Sequence, residues 1–332
     1  MPNFPANARV VSSHQCKTPV QSDLSSSVAC TLGGLHDSLL GQAGMFLLFL
    51  IVWCGFANTA IAADTQGGTA LQAKYKELTP QLKNNQFQRP IYLNSSESPN
   101  ELNGNIYAVI DQPFANASRA LNIPANWCDM LILHLNTKYC RASGNAGNSA
   151  LQVSIGKKHD QPLDEAYPVN FKFAVVASTP DYLHVALNAK DGPMGTRDYR
   201  ILLEAVPLAN GKTFLHLTYS YAYGVTARVA MAAYLSTVGS NKVGFTRVDG
   251  AGADEQYING VRGVVERNTM RYYLAIDAYL SSLKLPASEQ FENRLQTWFA
   301  GTERYARQLK EVGREDYMAM KRSEYQRQQT AQ

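Results

Sequence analysis

From Gly104 onward, apolar and polar residues are arranged in short periodic blocks, each closed by a turn-forming cluster or a proline. Asn105–Ile110 alternates as a strand does. Asp111-Gln112-Pro113 then supplies an acid and a proline suited to opening a helix over Phe114–Leu121, and Pro124 opens a second helix running to about His134. Past the turn-rich stretch Gly144–Asn148 the two-residue period returns in series, over Leu151–Ile155, Val169–Ala177, Tyr182–Ala189, Tyr199–Val206 and Thr213–Tyr223. The breaks Ser178-Thr179-Pro180-Asp181, Asp191-Gly192-Pro193 and Ala209-Asn210-Gly211 are too short for crossovers, so the series predicts an antiparallel meander. Ala227–Ser236 reads as a helix and Lys242–Val248 as a further strand. Tyr257–Leu283 is then a long amphipathic helix, with Val261, Val264, Val265, Tyr272, Ala275, Ile276, Tyr279 and Leu283 keeping the helical period.

Two flanking regions follow different patterns. Asp64–Asn103 is polar, with Leu71, Tyr75 and Leu78 predicting one short helix that ends before Pro80. Beyond the long helix, Phe291, Leu295, Trp298 and Phe299 recur at helical spacing, as do Tyr305, Leu309 and Val312, and Gly313 breaks the chain before Asp316–Gln328. Lys310, Arg314, Lys321, Arg322 and Arg327 make this tail basic. It reads either as helices docked on the domain with a solvated charged face, or as a surface for anionic lipid headgroups or an envelope protein.

Upstream, Met45–Ala63 is apolar over about twelve residues and then turns small and polar, too short a run for a bilayer span. Ala60-Ile61-Ala62 has the small-x-small spacing of a signal peptidase site. A signal peptide over about Met45–Ala62 is therefore expected, placing the mature chain in the periplasm or outside the cell. The alternative is an uncleaved membrane anchor. The segments expected are 1–62 (upstream extension and signal), 63–103 (lead-in), 104–284 (main domain) and 285–332 (helical tail).

The net charge of +4 is small, and the basic residues are scattered until the tail, which argues against a nucleic-acid partner. Of the 5 cysteines, Cys128 and Cys140 lie beyond the cleavage site. An even pair in an oxidising compartment favours a disulfide over two free thiols. Two cysteines without nearby paired histidines offer too few ligands for a metal, and no cofactor motif is present.

The order of strand, two helices, long meander and long helix resembles the helix-grip fold of the START-like (SRPBCC, polyketide cyclase/lipid-transfer) superfamily over about Gly104–Leu283. The segments that carry the resemblance are PFANASRAL, PANWCDMLIL, KVGFTRV and VRGVVERNTMRYYLAIDAYL. It implies an α+β fold in which a curved antiparallel sheet grips the closing helix around an elongated apolar cavity, here with an extra C-terminal helical tail. It also implies binding or transport of a hydrophobic, lipid-like small molecule. A cyclase- or hydrolase-like enzyme using the same cavity, and an accessory scaffold protein of an envelope complex, are the alternatives.

On the strand Thr213–Tyr223 one face carries Leu215, Leu217, Tyr219, Tyr221 and Tyr223, the other Phe214, His216, Thr218, Ser220 and Ala222. Rings mixed with hydroxyls suit an amphipathic ligand. The expected ligand-binding set is His216, Thr218, Tyr219 and Tyr221 from this strand with Asn268, Tyr272 and Ile276 from the closing helix. No nucleophile constellation stands out, although His184 and His216, facing each other across the meander, offer a general acid or base for the enzyme alternative. Glu266 is expected to pair with Arg262 one turn before it.

Overall fold

In the computed structural model, which describes residues 59–145, 147–237, 242–248 and 256–330, an 8-stranded sheet is antiparallel throughout. Its strands are β1 (Ile91–Ser98), β2 (Glu101–Ile110), β3 (Thr137–Asn145), β4 (Asn148–Ile155), β5 (Tyr167–Ser178), β6 (Leu183–Asp191), β7 (Thr196–Pro207) and β8 (Thr213–Tyr223), in spatial order β1-β2-β8-β7-β6-β5-β4-β3. The hairpins read from the sequence account for the run β4 to β8. Chain continuity from β2 to the far edge is carried by two short helices, α2 (Phe114–Leu121) and α3 (Pro124–Leu131).

Preceding the sheet is α1 (Thr59–Lys83); following it come α4 (Val225–Ser236), α5 (Gly260–Ser282), α6 (Ala287–Arg304), the short α7 (Ala306–Leu309) and α8 (Arg314–Thr330). The long α5 packs against β1, β2 and β8 on the inner side of the sheet, α6 packs on α5, and α8 on β3 and α6. A curved antiparallel sheet gripping a long helix is the helix-grip α+β arrangement.

The period-2 reading of β8 holds residue by residue. Leu215, Leu217, Tyr219, Tyr221 and Tyr223 are buried toward α5 and belong to the main core, while Phe214 belongs to a separate cluster on the outer face. That outer cluster is roofed by α1, whose Leu71, Tyr75, Leu78 and Leu82 form one helical stripe against Val206 and Phe214. The helix continues past Pro80 because Leu82 is buried in the same cluster, and because Asn85 Nδ2 donates to Gln81 O (2.9 Å) and Leu82 O (3.1 Å) at its end.

Cys128 on α3 and Cys140 on β3 form a disulfide, their Cα atoms 5.1 Å apart, which ties the helix pair to the edge of the sheet.

Other expectations also differ from the structure. Ile91–Ser98 and Thr137–Asn145 are strands; both are edges of the sheet, where one partner suffices and a polar sequence is tolerated. Lys242–Val248 is not a strand, since β2 and β7 already occupy both sides of β8. Its backbone is held instead by a buried carboxylate: Phe245 N and Thr246 N donate to Glu266 Oε2 at 2.6 and 2.9 Å. Backbone hydrogen bonds tie the segment to the approach to α5 as well, from Gly244 N to Ile258 O (2.6 Å), Ile258 N to Thr246 O (2.8 Å) and Val248 N to Gln256 O (2.9 Å), around the bridge Arg247–Tyr257. Glu266 also accepts from Ser95 Oγ and Thr246 Oγ1, each at 2.6 Å, and Arg262 donates to Ser95 O and Oγ, so Ser95 links the two charges.

The tail's large apolar side chains are spent on packing. Trp298 stacks on Tyr317 and Phe291 on Tyr325, with centroids 4.9 and 3.7 Å apart. Two of its bases are engaged as well: Lys321 is fully buried against Glu324, and Arg322 pairs with Glu292. Among the described residues no helix is long and apolar enough to cross a membrane. Met45–Asn58, the greater part of the expected export segment, lies outside the described residues.

Candidate functional site

Between the sheet and the N-terminal half of α5 lies a cavity of about 410 Å³. The helix contributes Val264, Arg267, Asn268, Arg271 and Tyr272, residues spaced three and four apart and hence stacked on one face over more than two turns. The facing strands contribute Val169 and Phe171 from β5, Thr196 and Tyr199 from β7, and Tyr219 and Tyr221 from β8. His134, Asn136, Ile155 and Lys158 close one flank. Met194, in the β6–β7 turn, and Met231, on α4, bound another.

The tyrosines form a connected wall. Tyr199 stacks on Tyr221 with centroids 5.2 Å apart and rings 13° from parallel, and Tyr219 lies 5.6 Å from Tyr221 and 5.1 Å from Tyr272. Burial pushes all these phenols up, so they keep their protons and act as hydrogen-bond donors. Thr196 Oγ1 and Tyr199 OH lie 2.8 Å apart.

That last pair depends on a bulge. In the β7–β8 register Arg197 faces Ala222 and Arg200 faces Ser220, leaving Asp198 and Tyr199 opposite Tyr221 alone. Asp198 takes a left-handed φ of 54°, and the extra residue reverses the alternation, so that Thr196 and Tyr199 both face inward. A second left-handed pair, Met194 at 58° and Gly195 at 77°, makes the tight β6–β7 turn that carries Met194 to the cavity.

Of the residues expected from sequence, Tyr219, Tyr221, Asn268 and Tyr272 meet in this cavity. His216 and Thr218 lie on the opposite, outer face of β8, because neighbours along a strand alternate. There His216 Nδ1 is 3.0 Å from Glu204 Oε2, its Nε2 3.0 Å from Asn105 Oδ1, and its ring stacks on Tyr107 at 4.1 Å. Glu204 also accepts from Tyr182 OH and lies in register between His184 and His216. Burial works to raise the Glu204 carboxyl, but its bonds to His216 and Tyr182 outweigh this and hold it below its ordinary value. Ile276 sits one turn beyond Tyr272, in the solid part of the core.

Sequence reasoning missed Tyr199, Thr196, Arg267 and Arg271 as cavity residues. Arg267 and Arg271 were legible at helical spacing with Asn268. Tyr199 was hidden by the bulge, which periodicity does not reveal.

The fold and cavity together define a helix-grip α+β protein with an internal chamber. No protein-family model matches the chain, and no curated protein matches it. Among solved structures it is similar to truncated norcoclaurine synthase from Thalictrum flavum (13% identity, 43% of this chain and 97% of that one, TM-score 0.29). It is also similar to a protein from Arthrobacter aurescens (14% identity, 56% and 87% covered, TM-score 0.30). Human StAR-related lipid transfer protein 5 is a third (7% identity, 52% and 90% covered, TM-score 0.29). Likeness at this level says nothing of ligand or chemistry, and the fold rests on the strand order and the gripped helix.

Proposed function

We propose that the protein binds and carries a hydrophobic small molecule, lipid-like in character, in the cavity between α5 and the sheet. The observation that supports this is the chamber itself. Its volume of about 410 Å³ falls in the usual range for ligand sites, and apolar and aromatic walls enclose a few convergent polar groups. Phenols held protonated serve as hydrogen-bond donors that orient a ligand.

At the mouth, α4 packs on the turn Pro193–Gly195, and Met194, Val225 and Val229 are 67%, 78% and 65% exposed. This apolar lip continues into the cavity through Met194 and Met231. It would let a ligand pass from a membrane surface without crossing water, and suits that contact better than the tail, where Trp298, Phe299, Tyr305 and Tyr317 are buried. The export signal belongs to the same reading. Cleavage near Ala62 would trim only the first turn of α1, and N-terminal sequencing of the processed protein should begin at Ala63 or Asp64. A soluble chain retaining Met1 would remove the periplasmic assignment.

The test is binding of a neutral fluorescent probe, N-phenyl-1-naphthylamine, together with lipid analysis of protein purified from its native envelope. Val264→Trp fills ligand space on the helix wall and should weaken the probe at least about tenfold while leaving the unfolding midpoint nearly unchanged. If the wild-type protein neither binds the probe nor retains a lipid, the carrier reading is wrong.

A further inference from the structure

The rings on the cavity wall form one continuous band. Between ring centroids, His134 lies 4.9 Å from Tyr272, Tyr272 5.1 Å from Tyr219, Tyr219 5.6 Å from Tyr221, Tyr221 5.2 Å from Tyr199 and Tyr199 6.5 Å from Phe171. All six line the chamber. The band starts in the turn after α3, crosses α5 and ends on three strands of the sheet, β8, β7 and β5.

Such a wall is preformed. An aromatic side chain has two torsions, and each of these rings is held by at least one other, so little order has to be imposed when a ligand enters. A flat, rigid ligand meets the band at low cost, because it has few torsions to freeze and its faces and edges fit offset or edge-on ring contacts. A saturated chain of the same carbon count freezes a torsion at nearly every bond and gains contact area alone.

One neutral donor stands at the middle of the wall. Tyr272 is enclosed by the protein, yet it keeps partial exposure, which opens onto the chamber. Burial pushes its phenol up, so the hydroxyl keeps its proton, and among the described residues no group accepts from it. The cations of the lining have partners within the protein: Glu311 lies 2.8 Å from Lys158 Nζ and 2.9 Å from Arg271 Nη2, and Val243 O accepts from Arg267 Nη1 at 3.2 Å. The ligand therefore need not bring a charge. Resting on the carrier reading above, we infer that the cavity selects a flat, ring-bearing hydrophobic molecule with a neutral hydrogen-bond acceptor, its rings against the aromatic band and its acceptor at Tyr272.

The experiment is displacement of bound N-phenyl-1-naphthylamine by three ligands of equal carbon count: fluorenone, fluorene and methyl undecyl ketone. Fluorenone should displace the probe at least about tenfold more effectively than methyl undecyl ketone, although the chain is the more hydrophobic of the two, and several-fold more effectively than fluorene. Tyr272→Phe keeps the ring and removes the hydroxyl, and should bring fluorenone down to the level of fluorene. Tyr199→Leu interrupts the band and should cut the preference for fluorenone over the chain several-fold; if that variant fails to fold, Phe171→Leu gives the same readout. The chain competing as well as fluorenone, with the probe still bound, overturns the ring-bearing ligand and leaves the carrier reading standing. Fluorene matching fluorenone on the wild-type protein overturns the acceptor at Tyr272. Failure of the probe and all three ligands to bind overturns the carrier reading, and the ligand class with it.

Discussion

A methyl group on Gly104 would lie 2.3 Å from Thr269 Oγ1, so this glycine on β2 sets how closely α5 sits on the sheet. Gly104 is paired in register with Tyr219 on β8, which places this close approach beside the cavity wall.

Gly104→Ala should therefore destabilise by about 1–3 kcal/mol through overpacking. Because the nearest atom is the end of a side chain, the double variant Gly104→Ala/Thr269→Ala should recover most of that loss. Urea unfolding of the four members of the cycle measures it. Additive losses would mean that the glycine serves another purpose.

The bulge at Asp198 makes a separate prediction. Deleting Asp198 restores regular alternation and turns either Thr196 or Tyr199 outward, so the 2.8 Å contact between their hydroxyls is lost. Affinity for the neutral probe should fall at least about tenfold. Asp198→Gly, which suits the left-handed φ of 54°, should keep affinity and change stability by less than about 1 kcal/mol.

The disulfide closes a loop with a sequence separation of 12 residues. Reducing it, or replacing both cysteines by Ala, should cost about 3 kcal/mol in the chain-entropy account. Free-thiol titration of the oxidised protein should find neither Cys128 nor Cys140, and equal unfolding midpoints in the presence and absence of reductant would contradict this.

Lys321 donates to Glu324 at 2.7 Å and to the carbonyls of His134 and Thr137, all inside the protein. Burial lowers its amine to about 8 despite the upward pull of Glu324. A base lowered by folding binds more protons in the unfolded chain, here between about pH 8 and its ordinary value of 10.5. Stability should thus rise with pH across that window, by at most ~1.4 kcal/mol per pH unit. Lys321→Met should flatten this rise, measured by denaturant unfolding between pH 8 and 9.5. Above about pH 10 the buried tyrosines, whose folded values are raised, reverse the trend because the unfolded chain ionises first.

Local pattern was sufficient for the gripped helix, the paired helices α2 and α3, the meander from β4 to β8, and the two faces of β8, because each of those elements has one face in the core and one away from it. The same alternation put Tyr219 and Tyr221 on one side of β8, and helical spacing brought Asn268 and Tyr272 to one side of α5. Period alone does not say which side of β8 faces the helix, so His216 and Thr218 were grouped with residues from which the whole thickness of the sheet separates them. Nor does it reveal an edge strand such as β1, whose polar second half needs only one partner, or a bulge such as Asp198, which is one residue out of step. Only the tertiary structure decided that Phe245 and Thr246 donate their backbone N–H groups to the Glu266 carboxylate, and that Arg267 and Arg271 face a chamber. Those outcomes depend on which groups meet across the chain, from a separation of 21 residues between Phe245 and Glu266 to 171 between Ser95 and Glu266, and a local period carries no record of that.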